Sequence, residues 1–63
     1  MNDLKIKLVK IELAHLNEIN ELIEEIISVM ANGENEMLES QLWGLKEQRK
    51  NKIKRIFEII EAS

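Results

Sequence analysis

Apolar residues recur along this chain at helical spacing, in two long runs separated by one short polar break. In the first run Leu4, Leu8, Ile11, His15, Ile19, Leu22, Ile26 and Val29 follow one another at intervals of three and four. That spacing marks one face of an α-helix. Val9, Leu16, Ile23, Ile27 and Met30 widen the stripe. The combined arc is too broad for one neighbouring helix and predicts contact with two or more. Ile6 and Leu13 lie outside the arc, nearly opposite Leu22. In the second run the stripe is Leu38, Leu42, Leu45, Arg49, Ile53, Ile56 and Ile60, flanked by Phe57 and Ile59. Between Lys46 and Lys52 this run holds no apolar residue. Arg49 falls on the stripe there, and its methylenes are expected along the core with the charge reaching water.

The break is Ala31-Asn32-Gly33-Glu34-Asn35. Gly33 lacks a Cβ and suits the positive-φ conformation that ends helices. Asn35 suits the cap of a following helix, because its side chain accepts from a free backbone N–H. The pattern predicts one helix from a cap at Asn2 or Asp3 to about Ala31, and a second from about Glu36 to Ala62. Folding back about Gly33 sets Glu12 beside Arg55, Glu18 beside Arg49 and Glu21 beside Lys46. Three opposite-charge pairings in one register support an antiparallel hairpin. Each exposed pair contributes only ~0 to 1 kcal/mol, so burial must supply the stability.

Length sharpens this expectation. The chain has 63 residues, with no cysteine and no proline. So small a domain buries too little surface to be comfortable alone, and it usually needs disulfides, a metal or a partner subunit. Disulfides and thiolate metal sites are excluded, which leaves oligomerisation. Charge suggests how. Glu24, Glu25, Glu34, Glu36 and Glu39 collect at the loop end, and Lys5, Lys7, Lys10, Lys52, Lys54 and Arg55 at the open end, offset in part by Glu58 and Glu61. Two hairpins packed antiparallel bring acidic loops beside basic termini. The expected architecture is all-α: one helical-hairpin domain over 1–63, paired as an antiparallel homodimeric four-helix bundle with a two-fold axis near its middle. Leu8, His15, Ile19, Leu22, Ile26, Leu42, Leu45, Arg49, Ile53 and Ile56 are the expected core and dimer residues.

The two near-equal helices about Asn32-Gly33, the length, and the lack of Cys and Pro resemble the small helical-hairpin proteins of archaeal spindle-shaped viruses (fuselloviruses). The same features resemble the plasmid primer-RNA repressor Rop. Both resemblances imply a dimer of hairpins. The viral one implies an adaptor role without catalysis, in a host cytoplasm. The Rop one implies RNA binding along the face of the first helices, but no Rop motif is matched, and Glu21 and Glu24 on that face would repel phosphate.

Chemistry narrows the field further. The net charge is −3, which weakens general nucleic-acid binding, a process carried by phosphate neutralisation. The N-terminal stretch has no apolar signal core, and no apolar run reaches the ~18 residues that span a bilayer. A cytoplasmic protein without a membrane contact is expected. Glu12-x-x-His15 has the spacing used by di-iron carboxylate bundles. Arg49, Lys52 and Arg55 stand where the other carboxylates should be, so no metal or other cofactor is expected. Ser28, Ser40 and Ser63 have no histidine partner, and there is no phosphate-binding loop. Ser40-Gln41-Leu42-Trp43-Gly44 begins like the motif of sporulation-type aspartyl-phosphate phosphatases, but Leu42 and Gly44 replace its acids.

What is left is surface. Trp43 and Gly44 lie off the second stripe, and Ile6 with Leu13 form another apolar spot. These four are the candidate contacts for an unidentified protein partner, because tryptophan is enriched in interface hot spots. The expected function is a non-catalytic adaptor or regulator. The alternatives are a nucleic-acid binder using Lys5, Lys7, Lys10, Lys50, Lys54 and Arg55, and a metal-binding bundle.

Overall fold

A computed structural model describes residues 2–33 and 35–62. Glu34, counted above with the acidic loop, and Ser63 lie outside the described residues, as does Met1. The chain is a helical hairpin of α1 (Asp3–Met30) and α2 (Glu36–Glu61), measuring 47 × 14 × 11 Å. Among the described residues there is no strand.

Side-chain caps set the helix starts. The Asn2 carboxamide oxygen accepts from Lys5 N at 2.8 Å. The Asn35 oxygen accepts from Met37 N at 2.9 Å and Leu38 N at 3.2 Å. Each bond satisfies a donor that no preceding turn can reach. α1 ends by tightening: Asn32 N donates to Val29 O at 3.1 Å and Gly33 N to Met30 O at 3.0 Å. Ala31, the last predicted helical residue, is its cap. Gly33 then takes φ +152°, a conformation that side-chain-bearing residues rarely adopt.

The two helices meet along a seam with a seven-residue repeat. On α1 the shielded positions are Lys5, Val9, Glu12, Leu16, Ile19, Ile23, Ile26 and Met30, with Asn20 beside them. On α2 they are Leu38, Leu42, Leu45, Arg49, Lys52, Ile56 and Ile59. Alternating intervals of four and three are the spacing of coiled-coil packing. Among the described residues only Ile19, Ile23 and Ile56 are buried outright, so the seam is narrow and its apolar centre lies toward the middle of α1.

This differs from the expected stripes. Of the predicted core set, Ile19, Ile26, Leu42, Leu45, Arg49 and Ile56 lie in the seam. Leu8, His15, Leu22 and Ile53 lie exposed beside it. α1 is rotated by one residue from the expected stripe over its first half, and on α2 Lys52 and Ile59 take the places foreseen for Ile53 and Ile60. Apolar residues occupy three adjoining stripes of α1, so periodicity alone does not choose among them. The ion pairs of Glu12 choose the one observed.

Asn35 supports two amides at the hairpin turn, and replacing it should loosen the start of α2. Asn35→Ala is expected to cost about 1 kcal/mol, the usual loss of an N-cap, read as a lower thermal midpoint by circular dichroism. An unchanged midpoint would show that the turn does not depend on this cap.

Candidate interaction faces

The polar layer of the seam is built from both helices. Lys52 Nζ lies 2.7 Å from Glu12 Oε2, and Arg55 Nε lies 3.5 Å from Oε1. The Glu12 side chain is 13 % exposed and that of Lys52 22 %. Oε2 is shielded from water and lacks a well-directed hydrogen bond, so Lys52 holds it chiefly as an ion. The close Lys52 ammonium lowers the Glu12 pKa. Desolvation opposes this, and the charges of Lys52 and Arg55 reinforce it. At the open end Lys5 Nζ donates to Ile60 O at 3.4 Å. The Glu12–Arg55 pairing expected from the sequence is formed. Among the described residues, Glu18 with Arg49 and Glu21 with Lys46 do not come within ion-pair distance.

Each helix turns about 100° per residue. A residue just before a seam position therefore falls on one side of the hairpin, and a residue just after it on the other. Because α2 runs against α1, the preceding residues of both helices share a side. Two faces result.

The first is a leucine face. α1 contributes Leu4, Leu8, Ile11, His15, Glu18, Leu22, Glu25 and Val29, all exposed. α2 contributes Met37, Gln41, Gly44, Gln48, Asn51, Arg55 and Glu58. Two shallow depressions mark this side, one lined by Leu22, Glu25, Ile26, Gln41, Gly44, Leu45 and Gln48. The other is lined by Ile19, Gln48, Asn51, Lys52 and Arg55. Gly44 helps line the first, and nothing stands within 4 Å of where its Cβ would be.

The second is an aromatic face. It carries Ile6, Leu13 and Ile27 from α1, and Trp43, Ile53, Phe57 and Ile60 from α2. Trp43 is 69 % exposed and Phe57 58 %. Lys10, Lys46 and Lys50 lie among them, and Glu24 and Glu39 share the loop half of this face.

The candidate contact residues are thus divided. Ile6, Leu13 and Trp43 share the aromatic face, while Gly44 belongs to the leucine face and does not adjoin Trp43 in one patch. Sequence reasoning missed Ile53, Phe57 and Ile60 as surface residues because it set Ile53 and Ile60 on the second stripe and Phe57 on its flank. A strict seven-residue count from Leu38 would have found them. Glu12 and His15 do not converge either: Glu12 lies in the seam against Lys52, and His15 is exposed on the leucine face. Among the described residues no three metal-ligating side chains gather. Two cations of the nucleic-acid set, Lys5 and Arg55, contact the hairpin itself. No helix among the described residues is long and apolar enough to cross a membrane. Comparison with protein-family models, with curated proteins and with solved structures finds no match to this chain.

The polar layer makes stability depend on acid. Because the folded Glu12 pKa is lowered, the unfolded chain takes up this proton at higher pH than the hairpin does. The contribution of Glu12 is complete above the ordinary glutamate range and is lost as pH falls through the lowered value. Glu12→Gln should therefore flatten the acid limb of helicity against pH, measured by circular dichroism beside the parent. Superimposable acid limbs would remove Glu12 from this role.

Proposed function

We propose that the chain acts as a homodimer of antiparallel hairpins, joined through their leucine faces into a four-helix bundle. It serves as a non-catalytic adaptor that presents its two aromatic faces outward. The observation that carries this reading is the uncovered leucine face. Packing one α1 against another, inverted about its midpoint, sets Leu4 opposite the partner's Val29 and Ile11 opposite the partner's Leu22. His15 then stands opposite the partner's Glu18. Three of the four levels match apolar to apolar or imidazole to carboxylate; Leu8 opposite the partner's Glu25 is the exception. On α2 the same inversion sets Gln48 opposite the partner's Asn51, and Gly44 opposite the partner's Arg55. Glu25 rims the Gly44 depression, so an arginine entering there meets a carboxylate.

Area supports the same choice. A compact monomer of this size exposes about 4,200 Å², whereas the hairpin exposes 5106 Å². The excess is close to the ~800 Å² that each partner places in a standard interface. The aromatic face is the poorer seam for a second copy. Inverting it on itself gathers Lys46 and Lys50 of both protomers at the two-fold axis, where like charges in a drying interface are costly.

An adaptor role follows from what the bundle leaves outside. Each aromatic face repeats on opposite sides of the dimer, which suits bivalent binding. The viral hairpin proteins that the chain resembles imply the same kind of role, in a host cytoplasm.

Ile11→Glu with Leu22→Glu should convert the dimer to a monomer in sedimentation at micromolar concentration, because each places charge opposite the other site. Trp43→Ala should leave the dimer mass unchanged. A monomeric parent, or a dimer insensitive to the Ile11 and Leu22 changes, would overturn the leucine-face assembly. Spin labels at Asn32 should lie roughly 40 Å apart, the length of one helix, in an antiparallel dimer; two labels found close together would show parallel hairpins.

A further inference from the structure

We propose that the open-end half of the aromatic face is a docking groove for an amphipathic helix with acidic flanks. This rests on the leucine-face dimer only in leaving the groove free. Five apolar side chains build it: Ile6, Leu13, Ile53, Phe57 and Ile60, between 39 % and 58 % exposed. The Lys5–Ile60 contact and the Glu12 ion pairs set the register. Ile6 is therefore level with Ile60, and Leu13 with Ile53. Phe57 stands between those two levels. The patch extends over seven residues of α1, about 10 Å or two helical turns. It straddles the valley between two antiparallel helices, the shape into which a third helix packs. Anchors at i, i+3 or i+4 and i+7 of that helix would match its length.

Charge selects the occupant's flanks. Lys10 and Lys50 lie on this half of the face, and both are exposed. One borders the groove from α1 and the other from α2. The acids nearby are few: Asp3 lies at the far end, in the first turn of α1, and Glu58 and Glu61 lie on the leucine side and the back of α2. Carboxylates flanking an apolar stripe would meet lysines on both sides of the groove. Such pairs give orientation and association rate more than raw affinity, while the apolar anchors supply the binding energy. A second copy of this chain is a poorer occupant, because its inverted aromatic face sets Lys50 of one protomer beside Lys50 of the other. Phosphate chains would leave the five apolar side chains wet.

The test uses the full chain and a fluorescent designed helix. This peptide carries leucines at i, i+3, i+4 and i+7 with glutamates on its flanks, and a twin carries lysines in their place. Fluorescence anisotropy should show binding of the glutamate peptide, weakened by salt, and little binding of the lysine twin. Phe57→Ala should reduce affinity roughly thirty-fold, as for a hot-spot aromatic, with helicity and sedimentation unchanged. Lys10→Glu with Lys50→Glu should reverse the preference between the peptides. The proposal is overturned by no binding of the glutamate peptide, by equal binding of both peptides, or by indifference to Phe57→Ala. Tighter binding to phosphatidylglycerol vesicles or to a single-stranded RNA oligonucleotide overturns it in favour of a membrane or a nucleic acid. If Phe57→Ala dissociates a dimer, the aromatic face is the assembly seam and both readings fail. If the parent is a monomer but peptide binding depends on Phe57, the assembly reading fails and the docking groove stands.

Discussion

A two-helix hairpin gives each helix only one neighbour, and one neighbour covers only a narrow seam. That constraint governs this molecule. α1 carries apolar residues on three adjoining stripes, and α2 can cover one of them. Among the described residues three isoleucines are buried outright, while thirteen large apolar side chains stay exposed. Conformational entropy opposes the ordering of every residue, so a core this thin offers little in return. Helix caps and the turn are correspondingly important, because they hold the helix ends without asking anything of the core.

The polar layer at Glu12 decides which stripe faces inward. A carboxylate largely removed from water beside two cations is costly to separate from them and weak as a source of net stability. Its use is directional. Rotating α1 by one residue would trade the Glu12 contact with Lys52 for an Ile11 or Leu13 contact with the charged middle of α2. Lys52, held in the seam at that level, would then be left without its carboxylate. The ion pair therefore acts as a rotational lock, and the faces that result are consequences of it: leucines to one side, aromatics and lysines to the other.

Those two faces differ in what they can meet. The leucine face has a largely uncharged centre, which suits the self-association proposed for it. The aromatic face places lysines among its apolar groups, which suits the acidic partner proposed for it.

Much of the hairpin was legible from residue order alone. Helix ends are local events, and Asn2, Gly33 and Asn35 announce them through groups within a few residues. The antiparallel register was legible too, because Glu12 and Arg55 are strong charges at matching distances from the turn. The rotation of α1 was not. Its apolar residues are so numerous that three stripes score alike, and a helix periodicity describes one helix without its neighbour. Only the packing of α1 on α2 selects Val9, Glu12 and Leu16 over Leu8, Ile11 and His15. That selection puts Trp43 and Gly44, adjacent in sequence, on opposite sides of the molecule. It also gathers Ile6, Leu13, Ile53 and Phe57, distant in sequence, on one. A face of a hairpin is shared by two helices, so its composition is written in neither of them alone.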